Sequence, residues 1–176
     1  MADYRQCVGV MIFNAEGKVF VGRRKNKRLA EHVAPHHEWQ MPQGGIDEGE
    51  APYTAALREM YEETNISSVK LLRETESWYA YDLPVDVLRK SWKGRYRGQN
   101  QRWFAFLFTG SEAEIDIHNP ANGAHKPEFD AFRWEDIENL AEMIIPFKRH
   151  VYEQVVVEFR TLVAQIRSLP GAGPAA

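Results

Sequence analysis

Cysteine is almost absent from this chain. Cys7 is the only one in 176 residues, so an intramolecular disulfide is excluded. Its mostly apolar surroundings, Val8-Gly9-Val10-Met11-Ile12-Phe13, make it a buried strand residue rather than a nucleophile. Long hydrophobic runs are missing too. No stretch approaches the ~18 apolar residues of a membrane span, and no basic-then-apolar signal opens the chain. A monomeric cytoplasmic protein without membrane contact is expected. Net charge is small, −3, which excludes a global attraction to polyanions and leaves any such affinity to local patches. Repeats and linkers are lacking as well. One domain over residues 1–167 is expected, with a Pro/Gly/Ala-rich disordered tail at 168–176.

What is present mixes strands with helices. Residues 5–13 and 18–24 read as a β-hairpin around the turn-forming Asn14-Ala15-Glu16-Gly17, followed by a long connection from Lys25 to Glu38. Further strands are expected near 69–83, 102–109 and 129–134. Val151, Val155, Phe159, Leu162 and Ile166 recur at helical spacing and predict a long amphipathic helix from about Phe147 to Arg167. The order suits an α+β layered domain.

The densest signal lies between residues 44 and 66. Gly44-Gly45-Ile46-Asp47-Glu48-Gly49-Glu50 is followed after seven residues by Arg58-Glu59-Met60-Tyr61-Glu62-Glu63-Thr64-Asn65-Ile66. On a helix, Glu59, Glu62 and Glu63 stand at i, i+3 and i+4 and share one face. Such crowding of like charge calls for a counter-ion, and Mg²⁺ takes oxygen ligands of this kind. Tyr53, Leu57, Met60 and Thr64 form the opposite stripe, while Ala55 and Ala56 are expected to leave room beside the acidic face. Pro52 suits the first helical position. Gly44, Gly45 and Gly49 would let backbone approach a bound phosphate or metal. Clustered glutamates beside a phosphate-sized opening argue for phosphoanhydride hydrolysis, since a bound Mg²⁺ neutralises polyphosphate and lowers the pKa of an attacking water.

The segment resembles the Nudix hydrolase pattern G-x5-E-x7-R-E-U-x-E-E-x-G-U, with U a bulky apolar residue. Asn65 stands where the pattern has Gly, a change read as a mild cost because Asn tolerates a left-handed backbone. The resemblance implies the Nudix fold, a mixed β-sheet sandwiched between α-helices. It also implies metal ligation or water activation by Glu59, Glu62 and Glu63, with Gly44, Glu50 and Arg58 serving the geometry. Two or more Mg²⁺ ions are expected, with Mn²⁺ able to substitute. Trp39-Gln40-Met41-Pro42-Gln43, Gly98-Gln99-Asn100-Gln101-Arg102-Trp103-Phe104, Pro127-Glu128-Phe129-Asp130 and Phe147-Lys148-Arg149 are similar to the dinucleoside polyphosphate hydrolase and RNA 5′-pyrophosphohydrolase branch. That similarity adds Glu128 as a catalytic and metal-site residue, and Phe147 and Lys148 as nucleotide contacts.

Charge patterning bears on the substrate. From Val87 to Ser111 no acidic residue occurs, while Arg89, Lys90, Lys93, Arg95, Arg97 and Arg102 alternate with Trp92, Tyr96 and Trp103. A basic aromatic loop of this kind holds phosphates and stacks bases; Arg23, Arg24, Lys25, Lys27 and Arg28 form a second basic run. The expected substrate contacts are Arg5, Trp39, Gln43, Tyr81, Arg95, Arg97, Gln99, Gln101, Arg102, Phe147 and Lys148. His32, His36 and His37 lack the partners of a zinc site and read as loop residues. Three functions remain open: removal of pyrophosphate from the 5′-triphosphate end of RNA, asymmetric cleavage of diadenosine polyphosphates, and a non-catalytic Nudix-like nucleotide sensor.

Overall fold

The computed structural model describes residues 3–25, 37–90 and 95–170. His32, His36, Lys27, Arg28, Trp92, Lys93 and the end of the expected tail, 171–176, lie outside them. The amino-terminal hairpin forms where the sequence predicts it, from β1 (Asp3–Phe13) and β2 (Val19–Arg24). Asn14 Oδ1 closes the turn by accepting the Glu16 and Lys18 N–H groups at 3.0 and 2.9 Å. Six further strands join them: β3 (Trp39–Gln40), β4 (Gln43–Gly45), β5 (Val69–Glu74), β6 (Tyr79–Asp82), β7 (Tyr96–Phe108) and β8 (Phe129–Glu135). The path runs β3-β2-β1-β7-β5, with β4 on β1, β6 on β7 and β8 on β2. β1 and β7 are parallel and the other pairs antiparallel, so the sheet is mixed.

Alternation along the two central strands sends side chains to two cores. Val8, Val10 and Ile12 of β1 and Phe104 and Phe106 of β7 meet Ala55, Ala56 and Met60 of helix α1 (Pro52–Thr64). On the other face Met11, Phe13, Trp103 and Ala105 pack under helices α3 (Leu140–Met143) and α4 (Arg149–Arg167), with Trp103 edge-on to Tyr152 at 5.4 Å. A short helix α2 (Val85–Lys90) takes in the start of the 87–111 segment. No helix among the described residues is long and apolar enough to cross a membrane.

Two expectations need correction. Residues 96–101 are the first half of β7 rather than loop, because Gln99 and Gln101 are polar yet buried and so mask the strand's alternation. Ala55 and Ala56 are fully buried against the sheet; their small size lets α1 sit close to it rather than leaving room for ions.

Candidate functional site

α1 begins with Pro52 after an extended Ala51 that makes no side-chain cap, and it ends at Asn65 with φ 66° and ψ 4°. Between them Arg58 gathers the surrounding acids. Its guanidinium donates to both carboxylate oxygens of Glu50 at 2.8 Å, to Glu59 at 2.8 Å, to Glu62 at 3.2 Å and to the Gly45 carbonyl at 2.8 Å. Glu50 also accepts the Asp47 N–H. Arg58 holds the Glu50 carboxyl down at about 2, and its own pKa rises in return. This knot ties the loop after β4 to the helix.

The glycines serve the same knot. A Cβ on Gly44 would fall 1.9 Å from the Glu59 carboxyl carbon, and one on Gly45 would fall 2.2 Å from an Arg5 nitrogen. Both sit in strand β4, and the space they free is filled by Glu59 and Arg5 rather than left for phosphate. Glu59 is pushed up by burial, against the pull of Arg58.

Glu63 lies one turn beyond, under different conditions. It accepts the Gln43 N–H at 3.3 Å. Burial, then the charges of Glu128 and Glu59, raise its pKa well above the usual carboxylate range. Glu63 and Glu128 line a cavity of about 170 Å³ together with Arg24, Gln40, Gln43, Tyr81, Gln99, Phe147 and Lys148. Lys148 is 5% exposed and is brought down to about 7 by burial and by the Arg24 charge. Its ammonium donates to Gln43 Oε1 at 2.9 Å and stands 5.4 Å over the Tyr81 ring. Tyr81 and Phe147 form an aromatic wall with ring centres 5.7 Å apart. Arg24 reaches Glu128 at 3.4 Å.

Five of the expected substrate contacts, Gln43, Tyr81, Gln99, Phe147 and Lys148, therefore share this cavity. Gln101 braces it by donating to Gln43 and Gln99 while accepting from the Trp103 indole. Trp39 lies next to Gln40, with Arg133 4.3 Å and Arg23 5.9 Å from its ring. The remaining arginines are engaged elsewhere: Arg97 with Asp82 and the Tyr4 ring, Arg102 with Glu74 and the Glu76 carbonyl, and exposed Arg95 with the Tyr96 ring. His125, given no role from sequence, stands 3.5 Å from Glu62. Cys7 is fully buried, and burial pushes its thiol up to about 11.

Arg24 and Gln40 line the cavity but were not among the expected contacts. The signal was present, since Arg24 belongs to the second basic run and Gln40 stands between Trp39 and Gln43 in their shared motif. Arg24 Nε and Gln40 Oε1 are buried without a hydrogen-bond partner among the described residues, a cost that a polar ligand in the cavity would relieve.

The oxygen-only donor set of Glu59, Glu62, Glu63 and Glu128 suits a hard divalent cation. Among the described residues no three His, Cys, Asp or Glu side chains already converge as a cation site; Arg58 is bonded to Glu59 and Glu62. The fit rests on Glu63, a buried carboxyl beside two others of like charge, which a cation would stabilise in its ionised form.

Comparison with known proteins matches this architecture. The NUDIX domain model covers residues 3–155. An RNA pyrophosphohydrolase of Azorhizobium caulinodans is 59% identical over 89% of this chain and 92% of its own length. The solved dihydroneopterin triphosphate pyrophosphohydrolase of E. coli shares the fold at TM-score 0.62 and 20% identity, covering 89% of this chain and 99% of its own. A C. elegans Ap4A hydrolase binary complex does so at TM-score 0.59 and 15% identity, covering 90% and 98%. With a family match over most of its length and a relative this similar, the chain belongs to the Nudix hydrolase family.

Proposed function

We propose that this chain hydrolyses a phosphoanhydride of a nucleoside polyphosphate, its substrate being the 5′-triphosphate end of RNA, from which it releases pyrophosphate. The observation that carries the reading is the cavity that Glu63 and Glu128 share with Lys148, Phe147 and Tyr81. Its carboxylates repel anions unless a cation intervenes; its other groups offer a positive charge and rings on which a base stacks. The name of the Azorhizobium relative supports RNA as the polyphosphate carrier.

Bound between Glu59, Glu62, Glu63 and Glu128, two or more Mg²⁺ ions, or Mn²⁺ in their place, would supply charge neutralisation and a lowered pKa for the attacking water. The chain's own residues do the rest. Lys148 and Arg24 hold phosphate oxygens, and Tyr81 and Phe147 fix the base, so the phosphate chain is oriented before attack. The Gln43 N–H keeps the Glu63 carboxylate aimed into the cavity. Water oxygen bonds to phosphorus, the bridging P–O bond breaks, and a carboxylate of the set takes the water proton. No covalent enzyme intermediate is needed. The Arg58 knot keeps α1 and the loop after β4 in register throughout. The protein works in this reading as a monomer in the cytoplasm.

Steady-state rates on triphosphorylated RNA and on diadenosine tetraphosphate, measured on one preparation, test the substrate. A higher kcat/KM on RNA, with pyrophosphate as product, is expected. Preference for the dinucleotide would move the assignment to diadenosine polyphosphate cleavage, and turnover of neither would leave a nucleotide-binding domain.

A further inference from the structure

The residue that ends α1 does more than accept a left-handed backbone. Asn65 Nδ2 donates to the Glu114 carbonyl at 3.2 Å, and its Oδ1 accepts the Asn122 N–H at 3.3 Å. Tyr61, one turn earlier, accepts at its hydroxyl from Asn122 Nδ2 at 2.9 Å. The Glu114 carboxylate takes the Ser67 and Ser68 N–H groups at 2.6 and 2.8 Å, and the Asp116 N–H donates to the Thr64 carbonyl at 3.0 Å. The segment from Ser111 to His125 is thereby tied at several points to the end of the acidic helix. Glycine at position 65, as in the family pattern, would supply the backbone but neither side-chain bond.

The tied segment is held in an unfavourable conformation. Ala121, Asn122 and Gly123 have φ of 51°, 55° and 82° in succession, a left-handed run that side-chain-bearing residues adopt only where their surroundings over-determine it. Its end reaches the site: His125 Nε2 stands 3.5 Å from Glu62, and three residues later Glu128 lines the same cavity as Lys148. Glu128 is the only carboxylate of the expected set that α1 does not itself carry. The chain at the end of β2 holds it from one side, through the Lys25 N–H to the Glu128 carbonyl at 2.9 Å and Arg24 at 3.4 Å, and the segment docked on the end of α1 leads into it from the other.

We infer that Asn65, with Tyr61 and Asn122, is a positioning clasp that sets Glu128 against the carboxylates of α1. The inference rests on the role given to Glu128 above. Asn65→Gly keeps the backbone conformation and removes both side-chain bonds. It lowers kcat about tenfold at unchanged KM, as a small displacement of a reacting group does. In the free protein it also speeds amide exchange at residues 122–125 by about tenfold. Asn65→Asp, which retains the acceptor for Asn122, recovers part of both.

The deciding experiment is a double-mutant cycle with Glu128→Gln. If Asn65 acts through Glu128, adding Asn65→Gly to Glu128→Gln lowers kcat by less than about twofold. Losses that multiply in the double variant overturn the clasp while leaving Glu128 in the site. Unchanged turnover in Glu128→Gln alone overturns the role of Glu128 and the clasp with it. Should Asn65→Gly fail to fold, Tyr61→Phe, which removes one hydroxyl, is carried through the same cycle with the same expected non-additivity.

Discussion

Helix α1 carries two charged environments one turn apart, and they are opposites. Around Arg58 every charge has its partner: Glu50 is held down at about 2, and the guanidinium is bonded to three carboxylates and a carbonyl. Around Glu63 the charges are enclosed but incompletely matched. The carboxyl is driven up by burial and like charge, Lys148 is driven down to about 7, and Arg24 Nε and Gln40 Oε1 have no hydrogen-bond partner among the described residues. A finished ion-pair network spends its electrostatics on holding the fold. An unfinished one leaves them available to a ligand, which is why strongly perturbed groups in a cavity point to function.

Substitutions on the two sides should therefore separate activity from stability. Glu63→Gln is expected to cost about a hundredfold or more in turnover while leaving the melting temperature unchanged or higher, since an enclosed charge is removed. A large fall in melting temperature with activity retained would reverse the contrast. Arg58→Ala should cost mainly stability, with a loss of turnover smaller than that of Glu63→Gln, because it frees Glu59 and Glu62 without removing a carboxylate. Breaking a fully buried pair costs about 3–5 kcal/mol; discounted for the 26% exposure of Arg58, about 2 kcal/mol is expected, or about 4–8 °C in a thermal melt.

Lys148→Met sharpens the comparison from the cationic side. Loss of one charge-assisted contact should raise KM about tenfold, again without lowering the melting temperature. An unchanged KM would mean that Lys148 belongs to the fold rather than the ligand.

The knot also has a pH signature. Glu50 is depressed in the folded protein, so its stabilising contribution is present above the ordinary value of 4.5 and is lost as pH falls toward about 2. Wild type should lose more stability than Glu50→Gln between pH 6 and pH 3, across the ordinary value and toward the depressed one, as measured by denaturant midpoints at each pH. Parallel curves would show that the Glu50–Arg58 pair contributes nothing.

The smallest effect is expected at Arg95, Arg97 and Arg102. Two of them already have acidic partners, so the triple Ala variant should change the salt dependence of RNA binding by less than the three contacts that the basic pattern alone suggests, each worth a slope of about −0.7. A change equal to all three would show that these ion pairs open to phosphate.

The acidic helix was legible because its marks are local. Pro52 opens it, Asn65 closes it, and Arg58 and the glutamates are fixed by spacing along one helix. The hairpin and α4 follow equally from turn chemistry and periodicity. The cavity was less legible because it is assembled from distant segments: β2 gives Arg24, β3 gives Gln40, β7 gives Gln99 and the turn before α4 gives Lys148. The two buried glutamines in β7 hid a strand inside what reads as a basic loop, and charge counting could not reveal that Arg97 and Arg102 meet acids from neighbouring strands. Nor does sequence spacing show that Asn65 reaches Asn122; only the folded chain brings the loop over the helix end.

The most direct test is pyrophosphate release from a short 5′-triphosphorylated RNA by wild type and Glu63→Gln, after chelation and again after Mg²⁺ is restored. If the carboxylates around Glu63 hold the cation, chelated wild type is inactive, Mg²⁺ restores it, and Glu63→Gln stays low in both conditions. Full release by the chelated enzyme, or restoration of Glu63→Gln to the wild-type rate, would contradict a metal-dependent centre at Glu63.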